Sequence, residues 1–367
     1  MNRILLSIYC LIITACMLFT AGTLANDETS QLNHSDSAVV FVYHRVGQED
    51  FVPSNLSLET FRQHIALINT GKYNVLPLDV IMNRLDNDIP LPANTIALTF
   101  NGAYAKTLDN AISLLVEHQL PFTLFFSSSR IDHRSTQFMS WRDLRRLKKT
   151  GLASFGLMPA NYLHLVNHDS ERVRQEINIA LNRARQELGM RPSFFAYPYG
   201  EYSKTVQEIV DSYDFEGVFG HHGGAINKHA DRLSLPRFSF TDGYASADRF
   251  ELTARTLPLP LIDITPDDHF IPKGVAPQIG FTVNDTDIGD LDRLACFASG
   301  IGKIDLIRLD GQRFEIRFDV LPAEGRLRIN CTLPYKDEQP GEAPRWHWYG
   351  MMFTIGYAGD LNPENEY

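Results

Sequence analysis

Cysteine is scarce in this chain: four in 367 residues, with Cys10 and Cys16 near the N-terminus and only Cys296 and Cys331 beyond it. A chain this long with so few cysteines is no disulfide-built scaffold; it has to bury apolar cores, and its length allows two domains. Basic charge is also in deficit, 34 Lys and Arg against 44 Asp and Glu for a net charge of −10. That balance argues against nucleic acid or an anionic membrane as partner, since both need a basic face. P-loop, dinucleotide, HExxH and GxSxG patterns are absent, as are internal repeats and low-complexity tracts.

Long apolar runs are lacking too, with one exception. Arg3, the apolar stretch from Ile4 to Phe19 and the small-residue site Thr23-Leu24-Ala25 before Asn26-Asp27 have the order of a cleaved signal peptide. The run is short for a membrane span. A lipoprotein reading at Ile13-Thr14-Ala15-Cys16 is the weaker one, because apolar Met17-Leu18-Phe19 follows it. Residues 1–25 are therefore expected to direct export, to the periplasm or outside the cell. Cleavage leaves Cys296 and Cys331, which in an oxidising compartment either bond or remain two buried thiols.

What is present alternates between strand and helix. Residues 26–37 are polar and expected to be flexible. From Ala38, apolar runs such as 38–43, 95–100, 122–126 and 193–197 read as parallel strands buried on both faces. Between them lie helical spacings at 58–70, 107–118, 141–149, 171–188 and 205–211, with Ser140 as an N-cap and Gly151 and Gly189 as terminators. Repeated βα units imply a parallel barrel or a doubly wound sheet. After Pro266 the pattern changes to short alternating runs split by Asp310-Gly311 and Glu324-Gly325, an all-β, sandwich-like domain. The expected division is 38–265 for the α/β domain, 266–274 for a linker and 275–367 for the β domain.

Two strings carry the chemistry: Leu98-Thr99-Phe100-Asn101-Gly102-Ala103-Tyr104 and Phe195-Ala196-Tyr197-Pro198-Tyr199-Gly200. Together they resemble motifs of the polysaccharide deacetylase family, the NodB-homology or carbohydrate esterase 4 group. The resemblance covers about three-fifths of the chain and implies a distorted, incomplete (β/α) barrel. It also implies a metal-dependent hydrolysis of N- or O-acetyl groups on polysaccharide. In family members the first string reads TFDDG; its first Asp is the general base and its second binds a divalent metal such as zinc, with two histidines spaced H-[ST]-x-x-H. A three-ligand metal with open positions polarises the acetamide carbonyl and acidifies a bound water.

Here the base position is Asn101, a neutral amide, and the metal-Asp position is Gly102. Both types also suit a plain strand-to-helix turn. Matching Ser154-Phe155-Gly156-Leu157 to the family's frame puts Met158 and Tyr162 at the two metal histidines, and neither replaces an imidazole. His164 and His168 have the family's spacing but sit six residues downstream of that register. In the second string Ala196 occupies the place of an Arg that orients the base, while Tyr197, Pro198 and Tyr199, with Tyr104, are candidate sugar-binding residues. Arg237, in Leu235-Pro236-Arg237-Phe238, and His44 are further groove candidates. The family's last histidine has no match; Leu261 and Asp263 hold its frame.

No cofactor is expected on this reading, and a divalent metal such as zinc only if hydrolysis survives. The leading expectation is an exported, catalytically degenerate relative that binds an N-acetylated polysaccharide or oligosaccharide. The alternatives are a working hydrolase with a displaced site at His164 and His168, and a structural scaffold with a protein partner in the envelope. His221-His222 and Asp267-Asp268-His269 read as polar loops rather than metal sites, and Trp346 and Trp348 share one face of a strand, core before sugar platform.

Overall fold

The computed structural model describes residues 34–336 and 344–356, so the expected signal peptide and most of the polar N-terminal stretch lie outside the described residues. Ser37–Tyr43 (β1) and Thr95–Asn101 (β2) are seven residues each and buried throughout, as expected of strands covered on both faces. Phe122–Phe126 (β3), Ala153–Leu157 (β4), Phe194–Ala196 (β5) and Gly217–Phe219 (β6) follow. They pair in parallel in the order β6-β5-β4-β3-β2-β1; Ala225–Asn227 (β7) closes antiparallel on β1, and Phe238–Ser239 (β8) lies parallel to β1. The sheet curls into the incomplete barrel that the sequence led us to expect.

Local signals set the helices. Ser140 and Asp143 form a reciprocal capping box at the start of Trp141–Lys148. Asp169 caps Ser170–Leu188, and Gly189 ends it in the left-handed region at φ 63°. These helices, with Leu58–Leu67, lay Phe61, Leu144 and Ile177 on the outer face of the sheet, where they share a core with Phe41, Phe100 and Phe126.

The second domain is all β. Its strands are Leu257–Pro258 (β9), Leu261–Thr265 (β10), Phe270–Pro272 (β11), Ile279–Val283 (β12), Ala295–Ala298 (β13), Gly302–Asp310 (β14), Arg313–Arg317 (β15), Gly325–Pro334 (β16) and Trp346–Gly356 (β17). They form one curled mixed sheet, a half-barrel in the order β9-β17-β16-β13-β14-β15-β12-β10 with β11 added to β17. The sheet takes in β9 and β10, so residues 257–265, allotted to the first domain from the sequence, pair with the second. The expected linker at 266–274 likewise contains β11. This also removes Leu261 and Asp263 from the barrel: β10 is hydrogen-bonded to β12.

The two domains meet without a spacer. Gly223 and Gly350 approach so closely that a Cβ on Gly350 would stand 2.3 Å from the Gly223 carbonyl oxygen. Trp348 packs edge-on against Phe238 at 5.2 Å, and His269 lies between Tyr202 at 4.6 Å and Phe353 at 4.9 Å. Trp348 is thus an interdomain wedge rather than a sugar platform.

Cys296 and Cys331 stand opposite each other on β13 and β16 and are bonded, with Cα atoms 4.1 Å apart. The bridge closes a span of 35 residues. Its removal by Cys296→Ala with Cys331→Ala is expected to lower stability by roughly 3–4 kcal/mol on the chain-entropy relation, measured by urea unfolding.

Candidate active site at the barrel mouth

Asn101 is the last residue of β2, and its side chain turns into the barrel rather than to solvent, leaving 1% of the residue exposed. The chain enters β8 through Arg237, whose fully buried side chain comes to the same place. Arg237 donates from Nη1 to Asn101 Oδ1 at 2.9 Å and from Nε to the Gly220 carbonyl at 3.1 Å. The rings of Phe125 and Phe219 lie 5.2 and 5.4 Å from its guanidinium carbon. No carboxylate accompanies it, and burial lowers its pKa to about 9.

This contact decides the next one. With Oδ1 accepting from Arg237, the Asn101 Nδ2 is the donor to His221 Nε2 at 2.9 Å, so His221 holds its proton on Nδ1. The His44 ring stands edge-on to His221 at 5.1 Å. Burial, then the positive field of Arg237, keeps both imidazoles neutral; Arg328 of β16 adds to it, and His44 is pushed down to about 3. The cluster Arg237–Asn101–His221 is a neutral-amide relay where a base would need a carboxylate. His221 read from the sequence as part of a polar loop. Nothing local marks it, because only the curl of the sheet brings the segment after β6 against β2.

The residues expected at the metal positions offer no ligand set either. Gly102 has φ +84°, and a Cβ there would stand 2.5 Å from the Tyr104 ring, so a carboxylate cannot be added without displacing Tyr104. Met158 is fully buried among Phe125, Ala196 and Phe219. The Tyr162 hydroxyl accepts the Tyr199 N–H at 3.4 Å, and burial raises its pKa to about 12. A divalent metal does not fit this donor set. Among the described residues no three His, Cys, Asp or Glu side chains are grouped to hold one. Of the downstream pair, His164 stacks on Tyr199 at 4.1 Å and bonds Glu201 Oε2 through Nδ1 at 2.5 Å, whereas His168 is exposed.

The sugar-binding candidates divide. Tyr104, Tyr162 and Tyr199 are half-buried at the mouth, Tyr199 in the left-handed region at φ 56°. Tyr197 is fully buried, donates to the Leu233 carbonyl at 3.2 Å and stacks on Tyr202 at 4.7 Å. It belongs to the core, as does buried Pro198, and neither can meet a ligand. Arg237 lies beneath the groove behind Asn101 rather than in its wall. The loop His222 bonds the Ser234 carbonyl at 3.1 Å, and Asp267 and Asp268 hold Lys204, so those clusters are structural.

Imidazoles held neutral in the fold titrate near 6.5 once unfolded, so the unfolded chain takes up protons first as the pH drops. Stability is expected to be complete above about pH 6.5 and to decline from there toward about 3, the range set by His44. Thermal unfolding across that range checks this, and His221→Gln, which keeps an acceptor for Asn101 but cannot titrate, is expected to flatten the decline.

Comparison with known proteins agrees with the fold. No curated protein matches the sequence. Residues 88–218 match the family model described as polysaccharide deacetylase. A Streptococcus pyogenes deacetylase, PplD, solved with acetate is 18% identical with a TM-score of 0.55, over 59% of this chain and 98% of that one. A de-N-acetylase from Aggregatibacter actinomycetemcomitans is 16% identical with a TM-score of 0.53, over 59% and 99%. IcaB from Ammonifex degensii is 22% identical with a TM-score of 0.51, over 60% and 96%. At such identities the likeness is one of fold. By the matched segment and the barrel, the first domain of this chain resembles the polysaccharide deacetylase (NodB-homology) family.

Proposed function

We propose that this is an exported glycan-binding protein built on a deacetylase barrel that no longer hydrolyses. The observation that carries the reading is the Arg237–Asn101–His221 relay. The base position is a neutral amide with both of its polar atoms occupied, one by a guanidinium and one by an imidazole. A missing general base alone costs about 10²–10⁴-fold in rate. The metal donors that would assist it are replaced by a glycine, a buried thioether and a protonated phenol. Tyr104, Tyr162 and Tyr199, half-buried at the barrel mouth, are the aromatic residues that a saccharide would meet there. Export to an oxidising compartment suits the Cys296–Cys331 bond. The N-acetylated saccharides on which the family acts are the first ligands to try.

A second reading, a hydrolase with a displaced site, is favoured by one contact. An imidazole oriented by a carboxylate, as His164 is by Glu201, is the arrangement of a general base. One experiment separates the two. Tri-N-acetylglucosamine is expected to bind in calorimetry without acetate release, and Tyr199→Ala to weaken binding by about tenfold, the worth of one stacking face. Acetate release that disappears in His164→Ala would establish the hydrolase instead. Failure to bind any saccharide would leave the scaffold role.

A further inference from the structure

The rim of the groove carries charge opposite to that of the chain. Around it guanidinium groups alternate with aromatic rings. Arg45 is held between Phe51 at 3.6 Å and Tyr104 at 3.8 Å. Tyr104 faces Phe138 at 5.3 Å, and Arg130 stands 5.4 Å from Phe138 and 5.0 Å from Tyr162. Tyr162 meets Tyr199 at 4.7 Å, and Arg326 of the second domain lies 5.4 Å from Tyr199. Arg328, two residues along β16 and therefore on the same face, is half-buried beside it and charges the surroundings of His44 and His221.

These cations are short of acceptors. The side chains of Arg130 and Arg328 make no hydrogen bond or ion pair among the described residues, and Arg45, 7% exposed, donates only to Gln48 and the tyrosine beside it. The carboxylate of Glu201 is taken by His164 at 2.5 Å and by Arg326 at 3.6 Å. Deeper in, the fully buried Arg237 leaves Nη2 without a partner. Half-buried guanidinium groups gathered without counter-charge repel one another, and each retains the planar fork that matches an oxyanion. In a chain of net charge −10 such a concentration is a local reversal, not a general feature of the surface.

We propose that the groove binds an acidic saccharide, its oxyanion held by Arg130 and by Arg326 and Arg328 of the β domain and its sugars set against the rim at Tyr104, Tyr162 and Tyr199. This rests on the glycan-binding reading and names the class of glycan. It also gives the second domain a role in recognition, because without β16 the ladder would lack the two arginines on one side. Rings and guanidinium groups in alternation suit a polymer in which every sugar offers an apolar face and a carboxylate or phosphate.

The test is calorimetry on the purified protein with trigalacturonate, its neutral counterpart galactotriose, tri-N-acetylglucosamine, and mannose 6-phosphate as the phosphate source. Trigalacturonate is expected to bind about tenfold or more tightly than galactotriose at low salt, and about 0.5 M NaCl to remove most of that preference. Arg328→Gln and Arg130→Gln, one in each domain, are each expected to reduce it several-fold with unfolding temperatures unchanged, so a fold defect in one leaves the other informative. Binding of mannose 6-phosphate alone, lost in the same variants, keeps the oxyanion site and assigns it to phosphate. Equal affinity for acidic and neutral trisaccharides would overturn the proposal while leaving glycan binding standing. A preference indifferent to both variants would overturn it as well, and no binding of any saccharide would sink both readings.

Discussion

A cation buried without a counter-ion sits at the centre of this barrel, and the site is arranged around it. Taking a guanidinium out of water costs several kcal/mol even after relaxation. Arg237 recovers part of that through the Gly220 carbonyl, Asn101 Oδ1 and the faces of Phe125 and Phe219. A carboxylate at position 101 would neutralise it directly; the amide only accepts one hydrogen bond. What the amide does instead is pass a direction on. It orients its own Nδ2, that fixes the tautomer of His221, and the field of the guanidinium keeps His221 and His44 uncharged. The interior of the mouth is thereby an electrically positive, proton-poor surface built from neutral and cationic groups.

On the proposed reading such a surface binds a ligand and does not hydrolyse it. Hydrolysis of an acetamide needs a proton acceptor and an electrophile facing a water. Tyr104 instead fills the space at Gly102 that a metal-binding carboxylate would enter, and Met158 has become part of the hydrophobic interior. The ring of Tyr104 lies against Gly102 on one edge and between Arg45 and Phe138.

The β domain is part of this arrangement rather than an appendage. The Gly223–Gly350 approach allows two backbones to touch, and Trp348 and His269 fill the seam beside it. That docking lays β16 across the barrel mouth, so Arg326 reaches Glu201 and Tyr199 while Arg328 lies near the two imidazoles. On the proposed reading a ligand at the barrel mouth would touch both domains.

Much of the barrel was legible in the sequence because its signals are local. Largely apolar runs such as Ser37–Tyr43 and Thr95–Asn101 read as strands covered on both faces, Ser140 and Gly189 marked helix ends, and TFNGAY and YPYG resembled deacetylase motifs. The identity of the residue at each motif position, Asn101 and Gly102 among them, was likewise in the sequence. The partners of those positions were not. His221 joined Asn101 because the sheet curls, Tyr197 turned into the core while Tyr199 stayed at the rim, and residues 257–265 left the first domain because β17 and β12 offered them open edges. Nothing in the sequence singled out Arg326 and Arg328. Local propensity and periodicity report which face of an element is apolar, whereas a site is set by which elements meet, and that is decided by packing between residues a hundred or more apart in the chain.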